Sequence, residues 1–250
     1  MKLAILTPTR NRLSFLQQNV ESVRLSSTEP LDLEIFHVLH DCGSDDGSAA
    51  WLAEMQGEER VRVILSQGPM PPGQARNLAA KACSGDLLMP LDDDDLLLQR
   101  TAYHFAHALA EGPWQWAVAD FLKIDHDGRY LPGEDYYGWD FTSADEMLRA
   151  IFSGRHFIQG NVCFTRKLFE CCGGYAEDMK TAEDLELYTR FALEADLPRY
   201  VPMVSHLHRL HGGNVSRTVD KARYNRDLQM IYDRHRSSLQ KRGIPLELIP

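Results

Sequence analysis

Four consecutive aspartates, Asp92, Asp93, Asp94 and Asp95, end the apolar run at 87–91 and are the residues of this chain best suited to chemistry. Two unit charges about 6 Å apart at an effective dielectric of about 20 repel by roughly 3 kcal/mol. Such a cluster is solvated, partly protonated, or neutralised by a cation. Hard oxygen donors in this arrangement suit Mg2+ or Mn2+, ions commonly held by one or two carboxylates together with substrate phosphates. A solvated acidic turn whose last aspartate caps a following helix is the plainer alternative. The aspartates alone leave both open.

The elements that must position these carboxylates are legible as apolar runs at 3–6, 33–39, 61–65 and 87–91, with helical patterns at 13–25, 47–55 and 74–82 between them. Continuous apolar strands alternating with helices predict a parallel sheet covered on both faces, with every strand's C-terminal end on one edge. Ligands of open α/β sheets bind along that edge. There the chain places Thr7-Pro8-Thr9-Arg10-Asn11, then Asp41-Cys42-Gly43-Ser44-Asp45-Asp46-Gly47-Ser48, then the aspartates. Beyond about residue 112 the pattern changes: a strand at 116–124, a turn at 125–128, an aromatic loop at 136–141, a helix at 143–152, a strand at 162–165, a helix at 182–195 and a strand at 200–204. The fold expected is α/β, a Rossmann-like, mainly parallel sheet flanked by helices. It forms a single domain in two halves, 1–112 and 113–216, with a helical tail at 217–250.

Composition bounds the function. A net charge of -9 over 250 residues argues against nucleic acid as a partner. Five cysteines without C-x-x-C spacing read as reduced thiols in a cytoplasmic protein, not as a disulfide framework or zinc site. The opening apolar run is too short for an export signal or a membrane span, so the sequon at Asn214 is taken as chance. The stretch 217–242 carries eight Lys/Arg and three Asp/Glu and reads as a basic amphipathic helix with Tyr224, Leu228, Ile231 and Tyr232 on one side. Packing on its own domain is its expected use. Weak peripheral contact with an anionic membrane surface is the alternative.

Seven segments in order resemble the family 2 glycosyltransferases of GT-A fold. They are Pro8-Thr9-Arg10-Asn11, Asp41 to Ser48, Gly73-Gln74-Ala75-Arg76-Asn77, Leu91 to Asp95, Gly173-Gly174-Tyr175, Glu183 to Arg190, and Arg209 to Ser216. The resemblance implies an inverting transfer from a nucleotide-diphosphate sugar, UDP by family habit, to a carbohydrate or lipid-linked acceptor, assisted by Mn2+ or Mg2+. It implies that Thr7, Pro8, Thr9, Arg10 and Asp41 line the nucleotide pocket and that Arg76 lies beside the base or diphosphate. Asp92 and Asp93 would meet the nucleotide, Asp94 the metal, and His211 would complete the metal shell. One departure concerns the base: Cys42 stands where the family often has a second acid.

Asp184 is the candidate catalytic base, since an inverting transfer needs a carboxylate within reach of the acceptor hydroxyl. Thr181-Ala182-Glu183-Asp184 also has the form of a capping box with Thr181 as N-cap, and the two readings are compatible. Arg190 is expected to pair with Glu186 one turn earlier. The loop 212–214 reads as a mobile lid, and the aromatic loop as an acceptor platform or a satellite hydrophobic cluster. Rivals fit less well. A phosphatase would want Thr or Val where Leu96 stands, and an EF-hand loop fails at Asp46 and Leu52. A nucleotidyltransferase usually has a basic, Gly-rich loop after its first strand, and Thr7 to Asn11 lacks glycine. A catalytically dead sugar-binding relative would not need both Asp94 and Asp184.

Overall fold

The computed structural model describes residues 1–133, 139–155, 158, 160–214 and 220–248. Strand β1 (Lys2–Thr9) runs between β2 (Glu34–Cys42) and β4 (Leu87–Pro90), and β3 (Val61–Ser66) lies outside β2. These four are parallel. Successive side chains point to opposite faces, so Leu3 and Ile5 enter one apolar cluster and Ala4 and Leu6 another. That is why the strand is apolar throughout. Helices α1 (Leu13–Arg24), α2 (Ser48–Glu54) and α3 (Pro72–Lys81) make the crossovers.

The sheet continues through β7 (Val162–Thr165), β6 (Trp116–Ile124), β8 (Arg199–Arg209) and the two-residue β5 (Leu96–Leu97), giving the order β3-β2-β1-β4-β7-β6-β8-β5. Only β7 and β5 run antiparallel to their neighbours, so the expectation of a mainly parallel sheet holds. Both halves of the chain contribute to this one sheet. Helix α4 (Thr101–Ala110) covers the face of Leu3 and Ile5; α5 (Ala144–Phe152), α6 (Arg166–Cys171) and α7 (Glu183–Glu194) cover the other with α8 (Lys221–Arg234) and α9 (Arg236–Lys241). No described helix is long and apolar enough to cross a membrane.

Three details depart from expectation. A capping interaction does form, but at α5: Ser143 accepts the Glu146 N–H at 3.2 Å while Glu146 reaches back to the Thr142 N–H. At α7 the N-cap is Ala182, with φ of 57° and no capping side chain, because Thr181 donates its hydroxyl to Asp227 of α8 at 2.6 Å instead. Asp95 caps no helix either, since β5 follows it and α4 begins after Arg100. The basic helix packs as first expected. Leu228, Ile231 and Tyr232 enter the main core and His235 meets Glu186 at 2.9 Å, so the helix packs these apolar residues on its own domain.

Burial of one histidine has a measurable consequence. His37, inside β2 and bonded to the Thr7 hydroxyl at 2.9 Å, is pushed down to about 3 by burial and by Arg24. A base whose folded pKa is depressed contributes stability that is complete above its unfolded value and is lost as pH falls below it. Between about pH 6.5 and pH 5 the wild type should therefore lose stability relative to His37→Gln, with a slope that approaches about 1.4 kcal/mol per pH unit at the lower end. Urea titrations of both proteins across that window measure the difference, and parallel curves would refute it.

Candidate active site

The C-terminal ends of β1, β2 and β4 bring the polar segments together. The acidic turn after β4 is held from below by Asn19 of α1, whose amide donates to the carbonyls of Asp92 and Asp95, each at 2.9 Å. Each carboxylate then meets a different partner. Arg76 Nη2 donates to Asp92 at 2.6 Å, and the Thr9 hydroxyl donates to Asp93 at 2.6 Å. Asp94 Oδ2 takes three donors or near-donors: Arg12, His211 Nε2 at 2.9 Å and Asn214 Nδ2 at 3.3 Å. Asp95 is fully buried and accepts the Arg209 N–H at 2.8 Å.

The electrostatics follow from these partners. Although burial opposes it, Arg76 holds Asp92 below the usual carboxylate range. Burial and the neighbouring Asp94 push Asp93 up to about 7, with Arg12 and the Thr9 bond pulling the other way. A carboxyl raised that far is short of positive charge. One oxygen each of Asp92, Asp94 and Asp95 lies within 4.8 Å of the others. Hard carboxylate donors with the His211 imidazole beside them fit Mg2+ or Mn2+, and the imidazole leans toward Mn2+.

Two segments far apart in sequence are clipped to build the other wall. Asn77 of α3 accepts the Tyr175 N–H at 2.9 Å and donates to the Tyr175 carbonyl at 3.0 Å. A side chain on Gly174 would come within 2.7 Å of that Asn77 oxygen, and one on Gly73 within 2.8 Å of the Ala176 carbonyl. The two glycines therefore permit the approach that brings the start of α7 to Arg76. There Arg76 donates to the buried Glu183 and lies over the Tyr175 ring at 5.6 Å. Burial raises Glu183 to about 7 against the pull of Arg76. Asp184, next along α7, is half-buried and, among the described residues, accepts the Leu185 N–H at 2.7 Å. Burial, again opposed by Arg76, lifts its carboxyl above the ordinary aspartate range. A half-buried acid with a raised pKa beside a cationic wall can take a proton from a ligand hydroxyl.

The sequence-derived candidates distribute unevenly around this centre. Asp92, Asp93, Asp94, Arg76, Asp184, His211 and Thr9 converge. Thr7 is fully buried with its hydroxyl committed to His37, Pro8 is half-buried and Arg10 is exposed. Asp41 Oδ2 accepts the N–H groups of Gly43 and Ser44, each at 3.0 Å, while its buried Oδ1 has no hydrogen-bond partner among the described residues. The lid expectation at 212–214 is corrected: Asn214 ties this turn to Asp94, to the Arg209 carbonyl and to the His211 N–H, and Arg12 donates to the Gly213 carbonyl at 2.7 Å. In the aromatic loop, Trp139 stacks on Tyr200 with centroids 6.3 Å apart and meets Phe141 edge-on at 4.9 Å. This supports the satellite cluster; Tyr136, Tyr137 and Gly138 lie outside the described residues. The expected pair of Arg190 with Glu186 forms. Sequence reasoning missed Arg12, Asn19 and Asn214, and the pairing of Arg76 with Glu183. Each is a polar side chain on an ordinary turn or helix whose meaning appears only across the fold.

Residues 4–173 match the profile described as Glycosyl transferase family 2. Among curated proteins, an uncharacterized glycosyltransferase of Rickettsia bellii is 25% identical over 134 residues, 52% of this chain and 18% of its own length. Glycosyltransferase GlyG of Streptococcus pneumoniae is 21% identical over 257 residues, spanning 99% of this chain and 83% of that protein. The GalNAc(5)-diNAcBac-PP-undecaprenol beta-1,3-glucosyltransferase of Campylobacter jejuni is 32% identical over 160 residues, 62% of this chain and 50% of that one. Among solved structures, S. aureus TarS 1–349 in complex with UDP-GlcNAc superposes with a TM-score of 0.73 at 17% identity, over 93% of this chain and 66% of that one. The mannosyltransferase PcManGT from Pyrobaculum calidifontis, in complex with GDP-Man and Mn2+, gives 0.66 at 18% identity, over 94% and 64%.

Proposed function

The chain belongs to the family 2 glycosyl transferases and has the GT-A fold, and from that premise we propose that it transfers a sugar from a nucleotide-diphosphate sugar to an acceptor hydroxyl with inversion. The observation that carries this reading is the meeting of the two walls at Arg76. One guanidinium joins the acidic turn after β4, through Asp92, to the start of α7, through Glu183, and so sets Asp184 opposite the aspartates.

In this reading the nucleotide lies along the ends of β1 and β2. The open Oδ1 of Asp41 accepts from the base or ribose, which supplies the donor that this buried oxygen lacks among the described residues. UDP is the nucleotide we assign, in line with the UDP-GlcNAc of the TarS complex; the GDP-Man of PcManGT is the alternative the test below includes. Asp94 and His211, with Asp92 beside them, would hold Mn2+ or Mg2+, which supplies neutralisation of the departing diphosphate. Arg12, bonded to Asp94, adds a guanidinium at the same corner for phosphate oxygens. Asp184 takes the proton of the acceptor hydroxyl as that oxygen attacks the anomeric carbon. The acceptor is a carbohydrate or a lipid-linked glycan, the latter being the class in the name of the Campylobacter relative. The enzyme acts in the cytoplasm with its cysteines free.

Thermal shift with UDP-, GDP- and dTDP-sugars, each with and without Mn2+, tests the reading. A ligand at about 100 times its dissociation constant adds about 2.7 kcal/mol of apparent stability, and the UDP-sugars with Mn2+ are expected to give the largest shift. A protein unmoved by every nucleotide sugar in the presence of Mn2+ would overturn it.

A further inference from the structure

Asp95, the last residue of the acidic turn, also belongs to a second cluster, whose histidines the proposed transfer does not use. Asp95, His206 and His208 are buried together, and one ligand atom from each lies within 4.8 Å of the others. Asp95 Oδ2 stands 3.2 Å from His208 Nδ1 and 3.6 Å from His206 Nε2. Donors about 2.0–2.1 Å from a tetrahedral zinc ion are separated by about 3.3–3.4 Å. Two of the three edges lie close to that length.

The remaining atoms of the cluster are held as ligands of a metal usually are. A ligating histidine commonly fixes its other ring nitrogen through a second hydrogen bond, and a ligating carboxylate fixes its other oxygen. Here His206 Nδ1 meets the Ser205 hydroxyl at 3.0 Å, and the ring stacks on Phe121 with centroids 5.5 Å apart. Asp95 Oδ1 accepts the Arg209 N–H. His206 Nε2, by contrast, is fully buried, points at Asp95 and has no hydrogen-bond partner among the described residues. Gly160 leaves room beside it: a Cβ there would stand 3.7 Å from His206 Nε2, 3.9 Å from Asp95 Oδ2 and 3.8 Å from the Pro90 carbonyl. That polar gap suits a water as fourth ligand.

We propose that Asp95, His206 and His208 form a buried site for a divalent transition metal, zinc by its donor set, separate from the pair Asp94 and His211. Two imidazoles and one carboxylate select zinc over magnesium and calcium, which prefer oxygen alone. The ion adds positive charge beneath a turn of four aspartates. It also joins β8, which supplies both histidines, to the turn after β4, at the point where β5 pairs Leu97 with His206. The site is structural: all three donors are buried.

The test uses the whole chain, with zinc alone as the probe and no nucleotide. Purified protein is incubated with Zn2+, dialysed against Mg2+, and assayed for bound metal by mass spectrometry. The double variant Asp94→Ala/His211→Ala is expected to retain one equivalent, and the triple variant that adds His206→Gln to retain none. Removing the zinc with a chelator should lower the melting temperature of the double variant and leave that of the triple variant unchanged. Should the triple variant fail to fold, Co2+ loaded into the double variant decides, by visible bands of a tetrahedral ion with imidazole ligands. Absence of bound zinc in the double variant, absence of those bands, or retention by the folded triple variant would each overturn the site.

Discussion

Asp184→Asn is expected to keep the fold and most of the nucleotide affinity while lowering kcat by about 10² or more, the usual scale of general-base catalysis. Asn has nearly the shape of Asp and can still accept the Leu185 N–H, as the carboxylate does. It cannot take up a proton at neutral pH. A loss of 10² corresponds to about 2.7 kcal/mol of transition-state stabilisation, more than the roughly 0.5–1.5 kcal/mol that one hydrogen bond contributes. The capping explanation has lost its basis, since the N-cap is Ala182 and Thr181 is occupied by Asp227. Near-wild-type turnover in the folded variant would remove Asp184 as the base and turn the reading toward a nucleotide-sugar-binding protein without transfer. Turnover and melting temperature measured on one sample separate these outcomes.

Asp94→Ala should weaken binding of a nucleotide diphosphate in Mn2+ by at least about 100-fold, with the fold retained. Loss of an outer-shell partner of a metal ligand already costs 10–100-fold in affinity, and the inner ligand should cost no less. His211→Ala removes one donor of several and should cost about tenfold on the same scale. The comparison without metal is informative because Asp94 also neutralises Arg12. In Asp94→Ala that guanidinium is released toward the phosphates, so the variant should lose its advantage from Mn2+ and keep its metal-independent affinity. Calorimetry with and without Mn2+ measures both. Equal affinities for variant and wild type in Mn2+ would refute the assignment.

What the sequence could reveal follows from the range of the interactions. Strands β1 to β4 and their helices were readable because burial on two faces leaves a continuous apolar run, a signal contained in each segment. The acidic turn was readable for the same reason. Helix α6 and strand β5 were not: six and two residues carry too little periodicity to stand out. The site itself is made of long-range pairs. Arg76 meets Glu183 across 107 positions and Arg12 meets Asp94 across 82, and neither pairing leaves a local pattern. The family resemblance found His211 and Asp184 without saying what holds them. Local rules also misled. Thr181 obeys the capping pattern, yet a buried bond to α8 outcompeted the helix end.

The place of β7 in the sheet bears on how this chain folds. Strand β4, which carries the acidic turn, has β1 on one side and receives its second neighbour only from residues 162–165. Until that segment arrives, the edge of Leu87 and Leu88 offers unpaired backbone groups beside apolar side chains, the kind of edge that recruits other chains. The contacts that close it join Leu87 to Thr165 and Leu88 to Phe164, and such non-local pairing is slow. The first 112 residues are therefore expected to aggregate when expressed alone, although their sequence pattern reads as a self-contained nucleotide-binding half. Its last hydrogen bonds are formed by the half that follows.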